Sequence, residues 1–437
     1  MNYYNLKDKE EVVDFKTATI KSQGNHKGLF FPEYIPKFDD EFIQNLHLYA
    51  DEEIAFRCMK DFVSDEIPEE TLREIAAETI SFEIPLKKIN EDIAVLELFH
   101  GPTLAFKDVG AKFMSRCLSY FLKDENKKVT VLVATSGDTG GAVAHGFYNV
   151  PGINVVILYP KNRVSPVQEK QLTALGGNIS ALEVNGSFDD CQHLVKQAFA
   201  DKGINSELFL TSANSINIAR WLPQQIYYLL ALKQWQQHEN QDPVICVPSG
   251  NFGNICAGLL AHFRGLPADH FIAACNENDV VPDYLKTQQY QPKKAVATLS
   301  NAMDVGDPSN FTRILELFGQ QFEQLQDMIS GYSINDELTL QTIQEVYEKH
   351  GYFPEPHSAV AFAALEQYLM EHPGKKGFIL GTAHPVKFPD AVEQAAHIKV
   401  EIPAGLKDLM NREKKTVEIH ADFEELKRFL LNKNQEQ

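Results

Sequence analysis

One pattern limits what this chain can fold into more than any other: short apolar runs, each closed by a glycine- or proline-marked turn and followed by a helical stretch. Residues 93–98, 128–134, 153–159, 179–184, 208–211, 244–247, 271–276 and 377–380 read as strands. Most are apolar at successive positions, so both faces of the sheets they form must be covered. Helical spacing fills the intervals at 107–121, 142–148, 165–175, 188–201, 214–235 and 255–263. Strands alternating with helices predict an α/β chain built on parallel sheets. Residues 1–92 differ. There, 41–50 and 68–80 carry helical spacing between proline-bearing loops, which predicts a mainly helical N-terminal segment packed on the body. Residues 310–371 also read as mostly helical, and 422–431 as a C-terminal helix.

At 437 residues there is room for two domains. The net charge of −19 argues against a nucleic-acid backbone or an anionic membrane surface as partner, while still allowing one local anion site. Six scattered cysteines form no CxxC pair and several lie in apolar runs, which predicts free thiols in a reducing compartment. The first residues lack the apolar stretch of a signal peptide. The richest apolar run, 226–232, falls far short of a membrane span. A soluble cytoplasmic protein is expected. The 14 histidines include no HExxH or other ligand-spaced pair, so no metal is expected.

Lys107 stands in the first turn of the helix that follows strand 93–98 and its Gly101-Pro102 turn. The positive end of the helix dipole disfavours an ammonium there and favours the free amine, the state a Schiff-base lysine needs. Taken alone, such a lysine simply reaches solvent. Two glycine-rich turns stand at strand ends: Ser136, Gly137, Asp138, Thr139, Gly140, and Ser249 through Gly250, Asn251, Phe252, Gly253 to Asn254. Each points backbone N–H groups at one spot, as an anion site does, although a tight strand-to-helix connection accounts equally well for either one. Neither fits GxGxxG, and no GxxxxGK[ST] occurs, so dinucleotides and ATP find no support. Asn214, Ser215 and Arg220 gather amide, hydroxyl and guanidinium around a helix start, which suits a phosphate socket or an ordinary cap beside an exposed arginine. Thr382, just past the last strand, offers its hydroxyl to a ring nitrogen or to the next turn.

Together these stretches resemble the threonine synthase family of fold-type II pyridoxal-phosphate enzymes. The likeness is carried by 100–108 (HGPTLAFKD), 134–140 (ATSGDTG), 212–220 (SANSINIAR), 247–253 (VPSGNFG), 301–310 (NAMDVGDPSN), 355–359 (EPHSA) and 381–385 (GTAHP), in family order from about Gly28 onward. The resemblance implies a tryptophan-synthase-β-like fold. Its parts would be the N-terminal segment 1–92, a large cofactor-binding domain from 93–110 and 219–437, and a small domain, 111–218, bearing the substrate-carboxylate loop. It implies pyridoxal 5'-phosphate as cofactor, held by Lys107 as a Schiff base. The loop Gly250, Asn251, Phe252, Gly253 and Asn254 would take the cofactor phosphate, and Thr382 would face its pyridine nitrogen. Ser136, Gly137, Asp138 and Thr139 would cradle the carboxylate of the substrate O-phospho-L-homoserine, and Asn214, Ser215 and Arg220 would hold its phosphate.

The implied reaction consumes that substrate and water and yields L-threonine and phosphate, the last step of threonine biosynthesis, in a monomer or homodimer. Two rivals stand beside it: a phospho-lyase on the same scaffold that releases 2-oxobutyrate, and a non-catalytic cofactor-binding relative. A serine or threonine dehydratase fits less well, since its substrates carry no phosphate for Ser215 and Arg220 to bind.

Overall fold

The apolar runs pair into two parallel sheets in the computed structural model, which describes residues 1–123 and 128–435. The larger sheet has the order Ile329–Ser333, His270–Cys275, Val244–Pro248, Gly377–Gly381, Ile93–Glu97, Leu86–Lys88; all neighbours run parallel except the last pair. Every residue of its four inner strands is buried, which is why those runs show no polar alternation. The two faces feed separate cores. Val244, Cys246, Ile272, Val95 and Ile379 pack with Val360 and Phe362 of helix Pro356–Glu371. Their sequence neighbours Ile245, Val247, Phe271 and Leu380 pack with Leu259 and Leu260 of helix Gly253–Phe263.

The smaller sheet is wholly parallel, in the order Val417–His420, Ile179–Asn185, Ile153–Pro160, Val129–Ala134, Phe209–Thr211. Its edge strand Val417–His420 corrects an expectation. Residues 219–437 were expected to lie wholly with the large sheet, yet the chain's last elements return to the small one. Ile419, Leu426 and Leu430 share a core with Leu182, Val184, Cys191 and Leu194. Only one of the four strand residues is buried, so the run carries almost no apolar signal.

Three further differences have plain causes. The helical N-terminal region opens with an antiparallel sheet, Asp8–Asp14, Asn2–Asn5, Phe30–Pro32, whose outer strand DKEEVVD is too charged to read as one. Ile329–Ser333 is a strand inside a stretch that reads as helical; only its first residue is buried. The helix expected over 214–235 begins at Ile218, capped by Asn217, and tightens at Leu222–Gln224, where Pro223 sits, before resuming as Gln225–Trp235. Helix Lys107–Leu122 leaves the large sheet and packs on helix Asp138–Phe147 of the small one. There the position of a Cβ on Gly146 lies only 3.0 Å from the Ala111 backbone, so a glycine is needed for the two helices to approach this closely.

Candidate active site

Three adjacent strands of the large sheet deliver the site at their carboxyl ends, where open parallel sheets place ligands. Ile93–Glu97 leads into the turn that reaches Lys107, Gly377–Gly381 leads to Thr382, and Val244–Pro248 leads to the loop Ser249–Asn254. The first two segments are stitched together: Phe106 N–H donates to Thr382 O at 2.9 Å and His384 N–H to Leu104 O at 3.0 Å. From the small sheet, Val129–Ala134 ends in Thr135 and the turn at Gly137, which opens helix Asp138–Phe147.

Lys107 is the first residue of its helix and is half-buried. Desolvation holds its ammonium below the ordinary lysine range; Lys387 and Arg220 add to this, while Asp138 and Glu355 oppose it. Asp138 does not present its carboxylate to the site as a free group. It accepts from Lys387 Nζ at 2.8 Å and from Gln168 Nε2 at 2.9 Å, with both ends of the ion pair buried. Burial raises its pKa, but Lys387 and Lys107 outweigh that and hold it below the usual carboxylate range. Lys387 Nζ also donates to Thr103 O at 2.8 Å, and Thr103 N–H donates to Asp108 Oδ2 at 2.9 Å. A chain of contacts thus joins the turn before Lys107 to the loop of the small sheet. In that loop Thr135 Oγ1 accepts the N–H groups of Gly137 and Gly140, leaving the first-turn amides of Asp138 and Thr139 for a ligand. Ser136 and Thr139 stay partly exposed beside them.

Ser215 lies against the glycine loop. Its Oγ accepts from Asn251 Nδ2 at 2.8 Å and from Asn310 Nδ2 at 3.1 Å. With both lone pairs engaged, its own proton is what it has left to offer. Asn214 stays partly exposed next to it, its carbonyl taking the Asn217 N–H at 3.0 Å. Arg220 is buried, and burial pulls its pKa down to about 10. Nη1 donates to Ala213 O, Nε finds no acceptor, and no carboxylate pairs with it among the described residues. Arg313 makes the contrast: equally buried, it donates to the carbonyls of Phe30, Ser215 and Ile216 and to Asn310 Oδ1. What sets Arg220 apart is a buried N–H left without an acceptor, which is costly.

Matches to known proteins give the family. The pyridoxal-phosphate dependent enzyme family matches residues 77–380, flanked by the threonine synthase N terminus at 2–80 and the threonine synthase C-terminal region at 358–430. Threonine synthase of Escherichia coli (strain K12) is 46% identical over 433 residues, 99% of this chain and 100% of that one. The chain belongs to the threonine synthase family. The crystal structure of threonine synthase from Escherichia coli superposes with a TM-score of 0.92 at 45% identity, covering 99% of this chain and 100% of that one. The pyridoxal-phosphate-bound threonine synthase from Brucella melitensis gives 0.92 at 33% identity, with 100% of both chains covered.

The family's cofactor fits the residues present. Phe252 gives helix Gly253–Phe263 no side-chain cap, and although Asn254 Oδ1 takes the Ile255 N–H at 3.0 Å, the amides of Gly253 and Asn254 are left for a phosphate. A Cβ on Gly250 would come 2.5 Å from Met303 Cα, so this loop runs with bare backbone against residues 302–303. Phe252 adopts a left-handed conformation (φ 60°) and is buried. Asn254 uses its side chain inside the loop, donating to Pro248 O at 2.8 Å, which leaves only its backbone N–H to offer a ligand.

Four groups of this threonine synthase family site were not assigned from the sequence. Lys387 and Gln168 fix Asp138. Glu355 accepts from Thr382 Oγ1 at 3.4 Å, from Ser358 N–H at 2.9 Å and from His357. His357 Nε2 in turn accepts from Ala302 N–H at 3.1 Å, beside the glycine loop. The EPHSA and GTAHP stretches are visible as motifs, but the partners of these four groups lie in distant parts of the chain.

Proposed function

We propose that this enzyme converts O-phospho-L-homoserine and water to L-threonine and phosphate, with Lys107 holding pyridoxal 5'-phosphate as a Schiff base. The observation that carries the reading is Arg220, buried, without a counter-anion among the described residues and bonded to Ala213 O, two residues before a serine hydroxyl that can only donate. When bound, the cofactor supplies an electron sink that makes the Cα and Cβ protons removable and lets phosphate leave Cγ. The residues supply the rest. Lys107, its amine kept uncharged more readily than an ordinary lysine's, takes the Cα proton at Nζ. Ser215 and Arg220, with Asn214 alongside, bind the substrate phosphate by charge-assisted hydrogen bonds and orient Cγ for its departure. The Asp138 and Thr139 amides, with Ser136 and Gly137, take the substrate carboxylate at the positive end of their helix. Thr382, whose hydroxyl reaches Glu355, faces the pyridine nitrogen; a hydroxyl there stabilises a pyridinium less than a carboxylate would.

The setting we infer is the cytoplasm, as a monomer or homodimer. All six cysteines are buried free thiols, and among the described residues no helix is long and apolar enough to cross a membrane. The test is product analysis with the cofactor-loaded protein and O-phospho-L-homoserine. Threonine with equimolar phosphate is expected. Phosphate with 2-oxobutyrate would make the enzyme a lyase instead, and no phosphate release would overturn the substrate socket.

A further inference from the structure

Asp138 sits where an anionic substrate should be welcomed. It is the first residue of the helix whose amides are proposed to take the substrate carboxylate, so its own charge opposes that ligand at short range. Its neighbours narrow the remedy. Gly137, at φ 138°, leaves no space for a side chain, since a Cβ there would meet Gln168 Cδ at 2.4 Å. Gln168 therefore packs on the loop, donating one hydrogen bond to Asp138 and accepting Ser165 N–H at 3.0 Å; it orients the carboxylate but brings no charge. The charge comes from Lys387, which is fully buried, stands after the large-sheet strand Gly377–Gly381 and reaches across to the small sheet. Its Thr103 O contact, shared with Gln171 Nε2 at 2.9 Å, fixes the ammonium from the side of the lysine turn.

We infer that Lys387 is a positioning residue for substrate recognition: it neutralises Asp138, so that the Ser136–Thr139 loop accepts a carboxylate in place of repelling it. Asp138 in exchange ties the loop to the Lys107 turn, and the substrate carboxylate is received at a distance set by the ion pair. The inference rests on the proposed function for the identity of the carboxylate.

The experiment compares Lys387→Met, Asp138→Asn and the double variant, each loaded with cofactor, for KM, kcat and cofactor content. Lys387→Met leaves an unpaired anion in the loop and is expected to raise KM for O-phospho-L-homoserine about 30-fold or more. Asp138→Asn leaves an unpaired cation and shifts KM the opposite way, downward. The double variant brings KM back to within about 5-fold of the starting protein, as for two directly coupled sites. A purely structural pair predicts another pattern, with both single variants raising KM alike or losing cofactor together, and that pattern overturns the inference. If Lys387→Met does not fold, the direction of the Asp138→Asn shift decides, and a rise in KM overturns it. Products are assayed on the unsubstituted protein first. Release of 2-oxobutyrate would refute the proposed function yet leave this test intact, because both reactions bind the same carboxylate. Were there no turnover, the opposite-signed shifts would be sought in Kd for O-phospho-L-homoserine, read from the cofactor absorbance.

Discussion

Arg220 is the side chain proposed to hold the substrate phosphate, and its surroundings say how a change would register. Gly110, on the lysine helix, faces it so closely that a Cβ would lie 2.7 Å from Arg220 O and 3.0 Å from Nε. Arg220→Ala is expected to raise KM for O-phospho-L-homoserine about 100-fold and to lower kcat, with cofactor retained, because the residue binds the leaving phosphate. Steady-state kinetics with cofactor absorbance check this, and loss of cofactor would move Arg220 to the other phosphate. Lys107 carries a pH prediction. Asp138 raises its pKa against burial, Lys387 and Arg220, so Asp138→Asn removes a charge that favours the ammonium. The free amine then persists to lower pH. The pH midpoint for capture of pyridoxal phosphate by the apoprotein moves down, and an upward shift would refute the coupling. Lys107 was legible because a helix dipole acts within one turn of sequence. Lys387 was not, because its meaning depends on Asp138, far away in sequence and held on another sheet.

At the scale of elements, the loops matter more than the helices they open. The Ser249–Asn254 loop is rigid by exclusion: Gly250 is pressed on the backbone of residues 302–303, and Ser309 N–H donates to Asn251 Oδ1 at 2.7 Å. Gly250→Ala places a methyl group against main chain that cannot rotate away. It should weaken cofactor binding about 10-fold or more and cost about 1–3 kcal/mol of stability. Absorbance titration and denaturant unfolding measure the two, and unchanged cofactor affinity would show that the loop tolerates displacement. Glycine-rich turns at strand ends were readable, since apolar run, glycine turn and helix follow each other directly in the chain. What backs them was not. Residues 301–310 reach the loop from outside its strand–turn–helix unit, and His357 links Ala302 to Glu355 through contacts that no local periodicity encodes. The three-stranded N-terminal sheet escaped for a related reason, its exposed strand being stabilised by pairing and not by an apolar face.

Across the whole molecule, the proposed active site joins two sheets with different contents, one carrying Lys107 and the Ser249–Asn254 loop and the other the Ser136–Thr139 loop. The last segment of the chain serves the second. Val417–His420 extends the small sheet beside Ile179–Asn185, and Ile419, Leu426 and Leu430 cover Leu182, Val184 and Leu194. Lys414 adds a brace, donating to Glu169 at 2.7 Å and Glu183 at 2.8 Å. Ending the chain after Thr416 keeps that brace but strips three buried aliphatic side chains from the small sheet, a loss on the order of 5 kcal/mol. The large sheet keeps its strand order, because no strand of it lies beyond residue 381. The truncated protein should therefore retain the absorbance of bound cofactor while KM for the substrate rises and the small sheet exchanges its amide hydrogens faster. Loss of cofactor and substrate binding at a single denaturant midpoint would mean the opposite: that the two sheets unfold as one unit and that the helix–helix contact at Gly146 and Ala111 transmits the damage from the last strand to Lys107.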